Sequence, residues 1–293
     1  MLGAAAALAS GFAWALGSIL FRNIGQRASP TATNLAKSVL GLVLLGLAAL
    51  VLGVEIPGAE STARLAGSGL LGIAIGDTLF FAALVRLEPR VTLLLASAGH
   101  AFAVVMAALV LGERPGPGTW VGIALLLGSI AYVLQAGAES TSQVHPERKL
   151  GIAYGLASAL VTSLALLLAK TGVQDVTTLE ATWIRLAAGT VGVVAWTAMR
   201  GQLVPDLRSL GQPGLLREIL GGVAVVMFGG FWLSIVSLKH TDASVATALA
   251  ATEPIFVLPM AYFWLGERIS RGAALAAVVA VCGVGLIVAS GAS

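Results

Sequence analysis

Apolar residues run along this chain in stretches of about twenty, parted by short polar clusters. A helix needs about 20 apolar residues to cross a bilayer core of about 30 Å. Runs of that kind predict ten spans, near residues 2–21, 33–52, 66–86, 91–111, 118–136, 150–169, 179–199, 219–238, 243–264 and 273–291. Connections as short as Glu88-Pro89-Arg90 and residues 239–242 force antiparallel neighbours. Glycine recurs inside the spans, for example at Gly41, Gly72, Gly76, Gly122, Gly189 and Gly283. Small residues let membrane helices approach closely, so the expectation is a tight all-α bundle. Residues 2–8 are Ala-rich but follow no basic stretch, and the apolar run continues to Phe21, so they read as a span rather than a signal peptide.

The chain reads twice. At an offset of 148, Leu2-Gly3 matches Leu150-Gly151, Leu8-Ala9-Ser10 matches Leu156-Ala157-Ser158, Arg22 falls on Lys170 and Lys37 on Arg185. Beyond an insertion of six residues around 201–217 the offset becomes 154. There Gly76 falls on Gly230, Val91 on Val245, and Leu111-Gly112-Glu113-Arg114 on Leu265-Gly266-Glu267-Arg268. The expected organisation is a first repeat over 1–137, a polar linker over 138–149 and a second repeat over 150–293. Five spans per half is an odd number, so the second half must insert upside down relative to the first. Folds of that kind place a substrate site near the midplane between the repeats.

Composition removes the other classes. The chain is 58% hydrophobic and 11% charged over 293 residues, with a mean hydropathy of +0.95. Soluble domains average about 25% charged residues, so a soluble enzyme, a nucleic-acid binder and a disordered chain are all excluded. A net charge of +3 without a basic run is no phosphate-binding surface. One cysteine, Cys282, and three histidines leave little for metal or hydrolase chemistry, and no nucleotide-binding, HExxH or GxSxG pattern occurs. No cofactor and no metal are expected.

The stretch 80–131, its partner 233–288, the doubled Leu-Gly-Glu-Arg, Trp14 in the first span and Glu253-Pro254 in the ninth carry a resemblance. Together they resemble the EamA-type members of the drug/metabolite transporter superfamily over nearly the whole chain. Where the second half has Glu253-Pro254, the first has Gly99-His100. The resemblance implies a ten-helix carrier in the inner (plasma) membrane that exports an amino acid or related metabolite, with both termini cytoplasmic. Multidrug or toxic-compound efflux is the alternative, and a channel or a non-transporting scaffold the more distant ones. The partners expected are a small molecule, the lipid bilayer and protons, with the chain as a monomer. Loop charges point the other way on orientation. A cytoplasmic N-terminus leaves four loop Lys/Arg on that side and eleven opposite, which the positive-inside rule reads as termini outside.

Charges inside a membrane are expensive and mark pathways or paired structural sites. Asp77, mid-span in GIAIGDTLFF, is a candidate for a substrate amine or a proton, or else is tied to neighbouring helices. Glu253 precedes Pro254, which cannot donate to the helix ladder. It is a second candidate proton carrier, or else satisfies the interrupted backbone. Lys37 and Arg185 could attract a substrate anion, or could snorkel to the interface. His100, with Ser97 one turn earlier, could bond substrate. Trp14, Ser18, Ser158, Thr162, Trp232 and Ser234 lie on spans that line the cavity in the resembled fold. The Leu-Gly-Glu-Arg pairs read as helix caps and interfacial anchors. For coupling, Asp77 is the favoured carboxylate, because its repeat equivalent is Phe231 and offers no second acid.

Overall fold

The structure, a computed structural model, describes residues 2–53, 57–111, 115–139, 147–172, 176–240, 249, 252–266 and 269–291. The helices are α1 (Leu2–Gly25), α2 (Pro30–Leu52), α3 (Ala59–Leu84), α4 (Pro89–Leu111), α5 (Pro117–Glu139) and α6 (Arg148–Gly172). They continue as α7 (Thr178–Met199), α8 (Leu203–Leu210), α9 (residues 215–240), α10 (Glu253–Leu265) and α11 (Arg271–Gly291). Among the described residues, eight helices are long and apolar enough to cross a membrane: α1 to α6, α9 and α11. α7 has the length, at 22 residues, and coincides with the seventh predicted span; Glu180 and Arg185 make it less apolar. Of the ninth predicted span, 243–264, only the part forming α10 can be described, and Glu113-Arg114 and Glu267-Arg268 of the doubled motif lie outside the described residues.

Local chemistry sets several helix ends. Ser29 caps α2, its hydroxyl accepting from the Ala32 amide, with Pro30 in the first turn, where a missing N–H costs nothing. Thr177 and Glu180 form a reciprocal capping box on α7. The inserted residues after α7 form α8, a helix that the runs of apolar residues do not predict. Asp206 on α8 accepts from Ser29 Oγ at 2.7 Å and from Thr31 Oγ1 at 2.8 Å, so the insertion is tied to the start of α2.

Contacts establish the inversion of the halves. α6 runs antiparallel to α3: Gly151 at its start meets Arg86 and Leu87, and Gly172 at its end meets Arg64 and Leu65. α1 ends beside the end of α3, where Arg22 Nη1 donates to the Leu84 carbonyl at 2.6 Å and to that of Leu87. α6 is the repeat equivalent of α1, yet it passes α3 in the opposite direction.

The halves also interlock by equivalent contacts. Ser10 on α1 donates to the Gly230 carbonyl of α9 at 2.9 Å, and Ser158 on α6 donates to the Gly76 carbonyl of α3 at 2.8 Å. Gly17 packs on Val226, and Ala165 on Gly72. Gly41 faces Met227, and Gly189 faces Ile73. Each pair maps onto the other by the two repeat offsets. Outside this interlock, α5 and α11 pack backbone to backbone, and a Cβ on Gly283 would lie 2.7 Å from the Gly122 carbonyl oxygen.

Both α3 and α9 carry a wide π-helical stretch, Leu70–Asp77 and Val225–Trp232, at equivalent places. Such stretches leave carbonyls without their ordinary partner and often mark functional sites. The Ser10 and Ser158 hydroxyls bond one carbonyl in each stretch.

Candidate functional site

A cavity of about 330 Å³ lies between the halves. α1 contributes Trp14, Gly17, Ser18 and Phe21, and α3 contributes Asp77, Phe80 and Phe81. α4 adds Leu93, Gly99 and His100, and α6 adds Ser158, Thr162, Ser163 and Leu166. Lys37 of α2, Val226 of α9 and Glu253 of α10 complete the charged and apolar wall. One end is closed by Phe21 and Phe81, both buried, under the Arg22 clamp between α1 and the end of α3. At the other end the wall reaches Leu166, which is 59% exposed.

The polar centre is a side-chain network on α2 and α3. Lys37 forms an ion pair with Asp77; their side chains are 5% and 31% exposed. One helical turn earlier, Asn34 Nδ2 donates to the Ile73 carbonyl at 2.7 Å and to Thr78 Oγ1 at 2.9 Å, and Ser38 donates to Asn34 Oδ1 at 3.2 Å. Asn34 thus supplies a partner to a carbonyl of the π stretch that ends at Asp77. Buried ion pairs persist only where such bonds satisfy the remaining donors and acceptors. The Lys37 ammonium also lies 5.7 Å from the Phe81 ring centroid, within cation–π range. Lys37 is therefore paired in the interior and does not snorkel.

The other candidates distribute as follows. Trp14, Ser18, Asp77, His100, Ser158, Thr162, Glu253 and Lys37 all line the cavity. His100 Nδ1 meets the Ser97 carbonyl at 3.1 Å, which leaves Nε2 as the nitrogen free for other contacts. Glu253 stands in the first turn of α10 beside Pro254, where a carboxylate suits the helix dipole. It has no hydrogen bond or ion pair among the described residues. Ser97 is not on the wall; its hydroxyl bonds back to the Leu93 carbonyl at 3.1 Å. Trp232 is 40% exposed and packs on Phe228 instead. Ser234's side chain lies outside the described residues. Arg185 is off the cavity, beside a small void bounded by Leu45, Ile73, Thr182, Leu186, Met227 and Phe231.

Sequence reasoning passed over Asn34, Ser163 and the aromatic wall of Phe21, Phe80 and Phe81. For Asn34 a signal existed, because Thr33-Asn34 and Lys37-Ser38 place four polar residues in one apolar run. Ser163, which donates to the Gly99 carbonyl at 2.8 Å and links α6 to α4, follows directly on Thr162. The phenylalanines carry no signal of their own, since packing and lining look alike in sequence.

The sequence model of the EamA-like transporter family matches residues 1–135 and again residues 149–289. No curated protein matches the chain. Among solved structures, one titled only "Crystal structure of protein" aligns with a TM-score of 0.63 at 18% identity. The alignment covers 97% of this chain and 94% of that one, which shows a shared fold.

Proposed function

The chain belongs to the EamA-like transporter family, and on that premise we propose that it is a secondary carrier exporting a small zwitterionic metabolite, an amino acid or close relative. Its membrane is the inner (plasma) membrane, and access to the cavity alternates as the inverted halves rock against each other. One observation carries the substrate class: a buried Lys37–Asp77 pair on the wall of a cavity that Trp14, Phe21, Phe80 and Phe81 also line. A zwitterion can meet both members, its carboxylate on Lys37 and its ammonium on Asp77, so neither charge is stranded when solute enters. Trp14, Phe80 and Phe81 offer an apolar surface to the rest of the molecule.

Size favours a metabolite over a bulky toxic compound. Pockets for drug-sized ligands run from about 300 to 1,000 Å³, and this cavity stands at the low end of that range at about 330 Å³. Channels arrange repeats about an axis along the membrane normal, with rings of carbonyls or acids. The two halves here are inverted instead.

Thermal stability of the purified protein against each standard amino acid tests the reading, since a ligand of the folded state stabilises it by RT ln(1 + [L]/Kd). The expected outcome is stabilisation by one or a few amino acids, which then show saturable, mutually competing uptake in proteoliposomes. Stabilisation by lipophilic cations alone would replace the reading with multidrug efflux, and ohmic current would replace it with a channel.

A further inference from the structure

Arg185 is a membrane-buried cation that the cavity does not use. Its Nε is buried and has no hydrogen-bond partner among the described residues. Buried donors are nearly always bonded, so such an atom asks for an explanation. The guanidinium reaches toward the π stretch of α3, where a Cβ on Gly72 would lie 3.7 Å from Arg185 Nη2. In a π-helix residues five apart follow one another along the same face, and Asp77 is five residues after Gly72. Asp77 is also the carboxylate whose field reaches the guanidinium. On its other flank the same carboxylate holds Lys37.

The repeat sharpens this. Lys37 and Arg185 are equivalent positions on α2 and α7, whereas the equivalent of Asp77 is Phe231, which borders the void beside Arg185. Two cations, one from each half, therefore lie against the helix that carries Asp77, and the equivalent place on α9 offers no acid. Asp77 ends a stretch of wide turn, and tightening wide turns to ordinary ones rotates the residues beyond them about the helix axis.

We propose that Arg185 is the alternate partner of Asp77: the carboxylate pairs with Lys37 when the cavity is open at the Leu166 end and passes to Arg185 when it opens at the Arg22 end. Arg185 is thus a positioning residue, acting on the solute only through Asp77. The exchange also sets Lys37 free in one state, so the anionic end of a solute is held more strongly there than in the other. A difference of that kind between states is what a ligand needs in order to shift their balance. The proposal rests on the carrier reading but not on the amino-acid substrate.

The test follows access without substrate. Ser18→Cys, on a Cys282→Ala background, places a thiol on the cavity wall; a membrane-impermeant maleimide is applied to reconstituted protein from either side. The thiol is expected to label from both sides. Adding Arg185→Gln lowers labelling from the Arg22 side about tenfold relative to the Leu166 side, and Lys37→Gln moves the ratio the opposite way. Asp77→Asn removes the shared partner, so on that background Arg185→Gln has no further effect. If Arg185→Gln does not fold, Arg185→Lys is read in its place, with a smaller shift in the same direction. A ratio that ignores both cations, or that moves the same way for both, overturns the exchange and leaves the carrier reading standing. Labelling from one side only overturns both.

Discussion

Deleting one member of the Lys37–Asp77 pair should cost very different amounts depending on which is removed. Lys37's side chain is 5% exposed and Asp77's 31%, so the two charges do not share the same access to water. Asp77→Asn strands an ammonium in an apolar wall, and removing one partner of a buried pair typically costs about 3–5 kcal/mol. Asn can still accept one hydrogen bond from the amine, so about 3 kcal/mol is expected. Lys37→Met leaves a carboxylate that faces the cavity and keeps access to water at 31% exposure, and about 1 kcal/mol is expected. The double variant has no stranded charge and a Met of similar length in the lysine's place. It should lose about 1 kcal/mol in all, because a buried pair replaced by well-packed neutral groups is often near neutral. The interaction energy from the cycle is then roughly 3 kcal/mol, at the upper end for contacting residues. Reversible unfolding in mixed micelles measures each value. Equal costs for the two single variants would refute the argument from unequal exposure, and a double variant equal to the sum of the singles would refute the pair itself.

Two further outcomes are expected. Glu253 lines the cavity with no partner among the described residues, whereas Asp77 is held by Lys37, and the remaining titratable group on the wall is His100. Glu253→Gln should therefore abolish uptake driven by a pH gradient while counterflow persists in proteoliposomes; if Asp77→Asn gives that phenotype and Glu253→Gln does not, the proton moves on Asp77. Ser10→Ala and Ser158→Ala each remove the side-chain donor to a π-stretch carbonyl. Each should lower unfolding stability by about 1–2 kcal/mol, and the two losses should be alike and additive, whereas a large loss in only one half would break the equivalence of the contacts.

Much of this architecture was legible because the bilayer restricts the possibilities. Length, apolarity and odd span number per half lead to an inverted bundle with few assumptions, and the register of Ser10 with Ser158 survives as a pair of equivalent hydrogen bonds. Two features were not legible. The helix in the insertion after α7 was hidden because 8 residues make too few turns for a pattern to stand out, and what holds it is the pair of tertiary bonds that Ser29 and Thr31 donate to Asp206. The π stretches leave no mark in the sequence, since LLGIAIGD and VVMFGGFW are apolar on nearly every side and read alike whatever the width of their turns. At the site, the charged candidates were visible as exceptions to an apolar run. Their pairing was not, because Lys37 and Asp77 are 40 residues apart and only the fold joins them.

The contrast between a symmetric scaffold and unequal contents bears on mechanism. Equivalent helices, equivalent π stretches and equivalent serine bonds give the two halves comparable freedom to tilt, which alternating access requires. An acid at the position of Phe231, to complete a second pair with Arg185, would bury one more charge, with a desolvation cost of several kcal/mol. In its place Phe231 packs edge-on against Trp14 at 4.9 Å between ring centroids, while Trp14 presses on Gly230 and lines the cavity. The first half thus meets the solute with both the charged pair and the rings of Trp14, Phe80 and Phe81, and the second meets it with Ser158, Thr162, Ser163 and Glu253. A solute held by the charged pair and rings on one side and by hydroxyls and a carboxylate on the other has one preferred orientation in the cavity. When the halves rock, these two walls exchange their exposure to the two openings. Selectivity then resides in the unequal contents of the two walls, and the symmetry of the backbone serves only the movement.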